Sequence, residues 1–250
     1  MKFRVLTAAA ALTVTALFST SSWAGEPVDQ ATMDKLRATL EVPSMGLQVE
    51  SASQSEIPGI LEVQFINGPL VYTSVKGDFF IMGDLFSVGP TGYVNLAEKR
   101  RDGDRQEQIA AIPISEMIVF SPQGETLASV TVFTDVSCYY CQKLHKEVPE
   151  LNKRGVEVRY LGYPRAGVGS EAYRQLASAR CDANPQETLT KLKNRETVAD
   201  NVCPDNPIAQ QYELGQQLGV RGTPAIITES GQMIPGYQSA DDLMVTLGLN

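Results

Sequence analysis

The chain has 250 residues, 43% hydrophobic and 20% charged, with 21 basic against 29 acidic side chains and a formal net charge of −8. That balance is ordinary for a globular protein and excludes the disordered and collagen-like classes. An acidic chain of this size carries no electrostatic footprint for a nucleic-acid backbone, so DNA and RNA are not expected partners.

The chain opens with Lys2 and Arg4, an apolar run over residues 5–18, and the small-residue pattern Ser22-Trp23-Ala24. The run falls short of the ~20 residues that a helix needs to cross a bilayer. Residues 1–24 therefore read as a secretory signal cleaved after Ala24. Export places Cys138, Cys141, Cys181 and Cys203 in oxidising surroundings, where an even number of thiols tends to pair.

Met33, Leu36 and Leu40 recur at helical spacing over residues 29–40. Leu61, Val63 and Phe65 then alternate with Glu62 and Gln64, which predicts a half-buried strand ended by Asn67-Gly68-Pro69. Further strands are expected at 70–74 and 79–82, across the Lys76-Gly77-Asp78 turn. A helix followed by turn-linked strands predicts an α+β module with an antiparallel sheet over residues 25–92. Its core is small, and a free sheet edge would let a second copy pair with it as an isologous dimer. Residues 95–111 turn polar and dense in charge, peaking at Glu98-Lys99-Arg100-Arg101-Asp102. They predict a solvated, mostly helical linker over 93–113, weakened by Gly103 and ended by Pro113.

Residues 114–250 have the strand and helix order of an α/β domain. Strands are expected at 117–120 and 129–134, the second leading into Cys138-Tyr139-Tyr140-Cys141. Leu144, Val148 and Leu151 predict a helix from about Cys138 to Arg154, kinked by Pro149 and stopped by Gly155. With a strand at 156–161 this makes a βαβ unit and a parallel sheet. A polar, helical insertion over 170–219 holds Cys181 and Cys203, and strands at 225–228 and 233–234 precede a last helix at 239–247.

A cysteine attacks as thiolate, and at an ordinary pKa near 8.5 only about 3% is ionised at pH 7. A sulfur over the free N–H groups of a helix start is stabilised as an anion, which makes Cys138 the expected nucleophile. Cys141, one turn further, can attack a mixed disulfide and release the substrate, which makes it the resolving thiol of a redox-active pair. Zinc would want a second close pair, which Cys181 and Cys203 do not supply. Covalent haem requires a histidine after the second cysteine, where this chain has Gln142. No metal or cofactor is expected. Cys181 and Cys203 read as a structural disulfide stapling the insertion, worth roughly 3 kcal/mol in chain-entropy terms; a second redox pair exchanging with the first is the alternative. His145, the single histidine, is two helical turns or about 10 Å from Cys138, too far for a Cys–His nucleophile pair. It reads as a modulating or solvated group, with tuning of Cys141 as the alternative. Pro224, at the start of a strand, reads on spacing alone as an ordinary trans proline.

The runs Val132-Phe133-Thr134-Asp135, Cys138-Tyr139-Tyr140-Cys141, Lys143-Leu144-His145, Val158-Arg159-Tyr160-Leu161 with Pro164-Arg165, and Gly222-Thr223-Pro224-Ala225 with Pro235-Gly236-Tyr237-Gln238 resemble the thioredoxin superfamily. More closely, they resemble the bacterial periplasmic disulfide isomerases of the DsbC/DsbG type, over essentially the whole chain after residue 24. The resemblance implies an α+β N-terminal dimerisation domain, a helical linker, and a thioredoxin-fold catalytic domain with a helical insertion. It also implies a cis Thr223–Pro224 bond with Thr223 touching the active-site sulfurs, and a V-shaped periplasmic homodimer whose cleft holds misfolded disulfide-containing exported proteins. A DsbD-type membrane protein would reduce it. Tyr139 stands where DsbC has Gly and DsbG has Pro, and Gln142 stands where DsbC has His. A DsbG-like reductase or chaperone protecting single oxidised cysteines, a DsbA-like oxidase and a holdase chaperone are the rival functions.

Overall fold

Helix α1 (Gln30–Leu40) begins where Asp29, in extended backbone, accepts a 2.7 Å hydrogen bond from the Thr32 amide. The computed structural model describes residues 25–66, 68–89 and 92–249. The expected signal segment, residues 1–24, lies outside them. Among the described residues no helix is long and apolar enough to cross a membrane. The chain divides between Met82 and Gly83 into two units.

In the first unit, β1 (Val49–Gln54), β2 (Ile60–Phe65), β3 (Leu70–Ser74) and β4 (Phe80–Met82) form an antiparallel sheet in that spatial order. Leu36 and Leu40 of α1 close its core with Val49, Ala52, Leu61, Val63, Phe65 and Val71. Gly77, at φ +77°, makes the tight return from β3. Strand β1 was not anticipated, because Val49 and Ala52 are its only buried residues and its pairing slips between Val49 and Ser51. Glu62, expected on the solvent side of β2, is buried and stands directly opposite Tyr72. Every residue of β4 is exposed, and it pairs only with β3 among the described residues.

The second unit opens with the hairpin β5 (Phe86–Gly89) and β6 (Gly92–Asn95), also unanticipated. Helix α2 (Leu96–Ala110) follows, its first turn capped by Asn95 accepting from the Glu98 amide at 2.9 Å. The expected helix is present and mostly exposed, but one side of it docks on the rest of the second unit. Arg105 is buried, pairs with Glu98 and Asp102 at 2.7 and 2.9 Å, and donates to the Leu218 carbonyl at 3.3 Å. Gln106 donates to the Glu229 carbonyl, and Ile109 packs on the core near Leu218 and Val220. An arginine stem supplies the buried side of this helix, so no apolar stripe marks it in the sequence.

The main sheet runs β11 (Met233–Pro235), β10 (Ala225–Thr228), β8 (Ala128–Thr134), β9 (Val156–Gly162), β7 (Ile118–Phe120). Only β8 and β9 are parallel, joined by α3 (Tyr139–Lys153). Both sheet faces are covered, which explains why β8 is buried without a break from Ser129 to Thr134. On one face Val130, Val132, Val158, Tyr160 and Ile226 meet Leu144, Val148 and Leu151 of α3 and Leu243 and Met244 of α7 (Ala240–Thr246). On the other, Phe133, Leu161, Ala225 and Ile227 meet Leu218, Val220 and α6 (Ile208–Gln217). The insertion is α4 (Glu171–Arg180), α5 (Pro185–Lys193) and α6.

Two helical glycines give opposite expectations. A Cβ on Gly215 of α6 would sit 2.6 Å from the Tyr163 ring, whereas one on Gly103 of α2 would meet nothing within 4 Å. Gly103→Ala should stabilise by up to about 1 kcal/mol through helix propensity. Gly215→Ala should destabilise by about 1–3 kcal/mol despite the same propensity gain. Urea unfolding of the two variants checks the signs.

Candidate active site

Strand β8 delivers the chain to Asp135, and α3 starts four residues later. Cys138 is the helix N-cap in extended backbone, its Sγ accepting from the Cys141 amide at 3.4 Å. Both thiols are free and buried, Cys138 at 3% exposure and Cys141 at 1%. Facing them is the turn before β10, where the Thr223–Pro224 bond is cis. The Thr223 carbonyl lies 3.1 Å from Cys138 Sγ, a contact the protonated thiol makes as donor. The Thr223 hydroxyl is buried with no hydrogen-bond partner, and it favours the thiolate form of both cysteines.

These contacts separate the two sulfurs chemically. The Cys138 thiol is held far below its ordinary value, chiefly by a hydrogen bond from the Cys141 thiol. Burial opposes this, while the Thr223 hydroxyl, the Cys141 amide and the Arg165 guanidinium add to it. Burial and the same donated bond push Cys141 up, with Lys193 opposing. One sulfur is therefore an anion at neutral pH and the other is its proton-bearing partner.

Asp135 and Arg165, to which the sequence reading gave no role, shape the approach. Burial pushes the Asp135 carboxyl up, but hydrogen bonds from the Ser137 hydroxyl, the Arg165 and Ser137 amides and the Arg165 guanidinium outweigh it and leave it below the usual range. The salt bridge to Arg165 is 3.2 Å. Tyr139 and Tyr140 are exposed beside Cys138. Tyr140 stacks at 6.5 Å on Tyr237, over whose ring Lys143 Nζ sits at 4.2 Å. The rim of the site is thus aromatic and its floor polar.

His145 is buried, which corrects the solvated reading. Thr190 donates its hydroxyl to the Gln186 carbonyl and so accepts from His145 Nε2 at 3.0 Å, leaving Nδ1 to accept from the Tyr160 hydroxyl at 3.0 Å. Burial, aided by the charge of Lys193, lowers its pKa to about 4. Gln142, beside Cys141, donates to the Val136 carbonyl and accepts from Arg195 at 3.1 Å, tying the active-site turn to the insertion. Cys181, at the end of α4, is disulfide-bonded to Cys203, with a Cα–Cα distance of 5.8 Å. The structure therefore brings together Cys138, Cys141, Thr223 and Pro224, and places Cys181 and Cys203 as a bonded pair within the insertion. Lys193, at the end of α5, gave no sequence signal, because a lysine on an insertion helix reads as solvated.

A βαβ sheet with paired thiols at a helix start, opposed by a cis-proline turn, defines a thioredoxin-like thiol:disulfide oxidoreductase. Family models agree: a thioredoxin-like domain matches residues 115–248 and the disulfide bond isomerase protein N-terminal domain matches residues 24–98. The thiol:disulfide interchange protein DsbC of Escherichia coli K12 is 32% identical over 232 residues, covering 92% of this chain and 91% of that protein. The DsbC of Dickeya dadantii is 32% identical over 231 residues, covering 92% and 93%. Among solved structures, a disulfide interchange protein from Neisseria gonorrhoeae superposes with a TM-score of 0.50 at 26% identity, covering 56% of this chain and 98% of that one. The chain belongs to the DsbC family of thiol:disulfide interchange proteins.

The buried neutral imidazole carries a pH signature. Its folded pKa of about 4 lies below the ordinary His value of 6.5, so the unfolded state takes up the proton first and stability is lost as pH falls from 6.5 towards 4. Between pH 7 and pH 5 this one group should remove on the order of 2 kcal/mol. In His145→Leu that part of the acid loss should vanish, read from urea unfolding at the two pH values.

Proposed function

We infer that the chain is a periplasmic protein disulfide isomerase that reduces and reshuffles incorrect disulfides in exported proteins. The observation that carries this reading is the placement of two free thiols at the start of α3, Cys138 as its N-cap and Cys141 one turn behind, opposite the cis Thr223–Pro224 turn, which favours an ionised Cys138 and a protonated Cys141. In the reaction, the Cys138 thiolate attacks one sulfur of a substrate disulfide. A mixed disulfide forms and the second substrate sulfur leaves as thiolate. When that thiolate, or another cysteine of the same substrate, attacks elsewhere and finally displaces Cys138, the substrate is rearranged with no net redox change. When Cys141 attacks first, the substrate leaves reduced and the Cys138–Cys141 pair is oxidised, so an external reductant, a DsbD-type membrane protein, must reset it. Thr223 and Pro224 form the wall along which the substrate chain lies, and the tyrosine rim offers apolar contact to a misfolded segment. The bond between Cys181 and Cys203 is the structural one.

The working molecule is a homodimer, with residues 25–92 as its dimerisation domain, 93–113 as the linker and 114–250 as the catalytic domain. The support is strand β4, whose apolar residues Phe80, Ile81 and Met82 are exposed on an edge strand, an arrangement that a second copy can complete. Residues 1–24 are the signal that exports it.

Two measurements test this reading. Cys138→Ser should lose all exchange, and Cys141→Ser should accumulate mixed disulfides detectable by mass spectrometry; the reverse pattern means the roles are exchanged. In refolding of a scrambled multi-disulfide protein, the full chain should shuffle efficiently. A fragment starting near Gly83, which keeps α2 on the second unit, should sediment as a monomer, still reduce simple disulfides and shuffle poorly. A fragment that isomerises as well as the full chain sinks the dimeric isomerase reading.

A further inference from the structure

Lys193 is 2% exposed, and its ammonium donates to neutral acceptors only: the Thr134 hydroxyl and the Asp135 carbonyl, the latter at 3.1 Å. The ring of Tyr160 lies 5.8 Å from it. The Asp135 carboxylate is turned away, committed to Ser137 and Arg165. Among the described residues no anion is hydrogen-bonded to this buried ammonium, and the Asp135 carboxylate and the resting Cys138 thiolate act on it only through space, which makes it costly to keep. The arrangement is rational if an anion forms beside it during the reaction cycle. Cys141 is placed to be that anion, since the Asp135 carbonyl that Lys193 holds also accepts the Cys138 amide at 3.3 Å, at the turn that carries both thiols, and the positive charge of Lys193 favours the Cys141 thiolate.

We propose that Lys193 is the positioning cation of the resolving half-reaction, stabilising Cys141 as thiolate once Cys138 is engaged in a mixed disulfide. This rests on the reading that Cys138 attacks first. Before attack, the Cys138 anion holds the Cys141 proton through their hydrogen bond. Mixed-disulfide formation removes that charge and that acceptor, leaving Cys141 in the field of Lys193, while the other nearby cation, Arg165, is salt-bridged to Asp135. Cys141 then gives its proton to solvent and its sulfur attacks Cys138 Sγ. The Cys138–substrate bond breaks, the Cys138–Cys141 bond forms, and the substrate sulfur leaves as thiolate and is reprotonated from solvent. The enzyme pair is oxidised by two electrons and the substrate disulfide is reduced by two.

The other ionisable groups around Lys193 do not supply this charge. On α3, His145 is neutral and Cys138 is bonded to substrate. At the end of β8, Asp135 is an anion held by Arg165. On β9, burial keeps the Tyr160 hydroxyl protonated. Burial lowers the Lys193 ammonium to about 8 and the charge of Cys141 opposes this, so it is charged at neutral pH and its protonation is linked to that of Cys141.

The test loads Cys138 of the full chain as a mixed disulfide with glutathione and follows glutathione release from roughly pH 6 to pH 9.5, the span in which such a pair titrates. In the native protein the rate should rise and then level off as the pair loses its first shared proton. Lys193→Met, which keeps the volume without the charge, should slow release at pH 7 by about tenfold or more. Its rate should keep rising with pH where the native rate is level, and Lys193→Arg should restore most of the loss. Native-like rates and profile in Lys193→Met overturn the proposal. If that variant does not fold, a native profile rising without levelling overturns it equally. Cys141→Ala should retain the adduct at Cys138, located by peptide mapping. An adduct mapped to Cys141 in the native protein overturns the assignment of roles, whereas an adduct at Cys138 with Lys193-independent release overturns the role of Lys193 alone.

Discussion

A negative charge on Cys138 Sγ is the quantity around which the second unit is arranged. Helix α3 presents its first amides to that sulfur, and the Cys141 thiol, the Thr223 hydroxyl and Arg165 add donors and positive potential from three separate elements. A thiolate stabilised in this way is both available to attack and a good leaving group when a substrate sulfur returns, since a lower thiol pKa favours departure. Reversibility, which reshuffling needs, follows from the same hydrogen bonds that make the sulfur reactive.

Those donors must arrive from elements far apart in sequence, which sets what the fold must hold rigid. Strand β8 lies between β9 and β10, so one central strand positions both the α3 start that follows it and the turn that precedes β10. Hydrogen bonds from Gln142 to Val136 and from Arg195 to Gln142 brace the active-site turn from the insertion side. The insertion is therefore more than a surface elaboration, since it also supplies Lys193 and the Thr190 partner of His145. The site is assembled with a polar interior on one side of the sulfurs and an exposed aromatic rim on the other.

What was legible in the sequence follows from how each feature is encoded. The helix at α1, the strands β2 and β3, and the βαβ unit around the thiols show as strong periodicity, because each buries one face or both against a core. Strand β1 and the β5–β6 hairpin did not show, since their residues are mostly exposed and alternate weakly. The thiol pair was readable because C-x-x-C spacing is itself the chemistry, whereas the cis geometry before Pro224 came from family resemblance, spacing alone favouring trans. Lys193 and His145 could not be placed, because a polar side chain far along the chain reads as solvated until tertiary packing buries it.

The chain holds one cysteine pair reduced and another oxidised, Cys138 and Cys141 as thiols and Cys181 and Cys203 as a bond. Both pairs meet the same surroundings, so any difference in how readily each is reduced lies in the protein. At the first pair, hydrogen bonds favour the thiolate and thus the reduced form. At the second, Cys181 Sγ accepts the Cys203 amide at 3.1 Å, and the bond closes the insertion on itself. Forming the second bond takes an oxidant, and returning the first pair to thiols after it has reduced a substrate takes a reductant. Its own assembly is subject to the same supply of electrons that it distributes to other proteins.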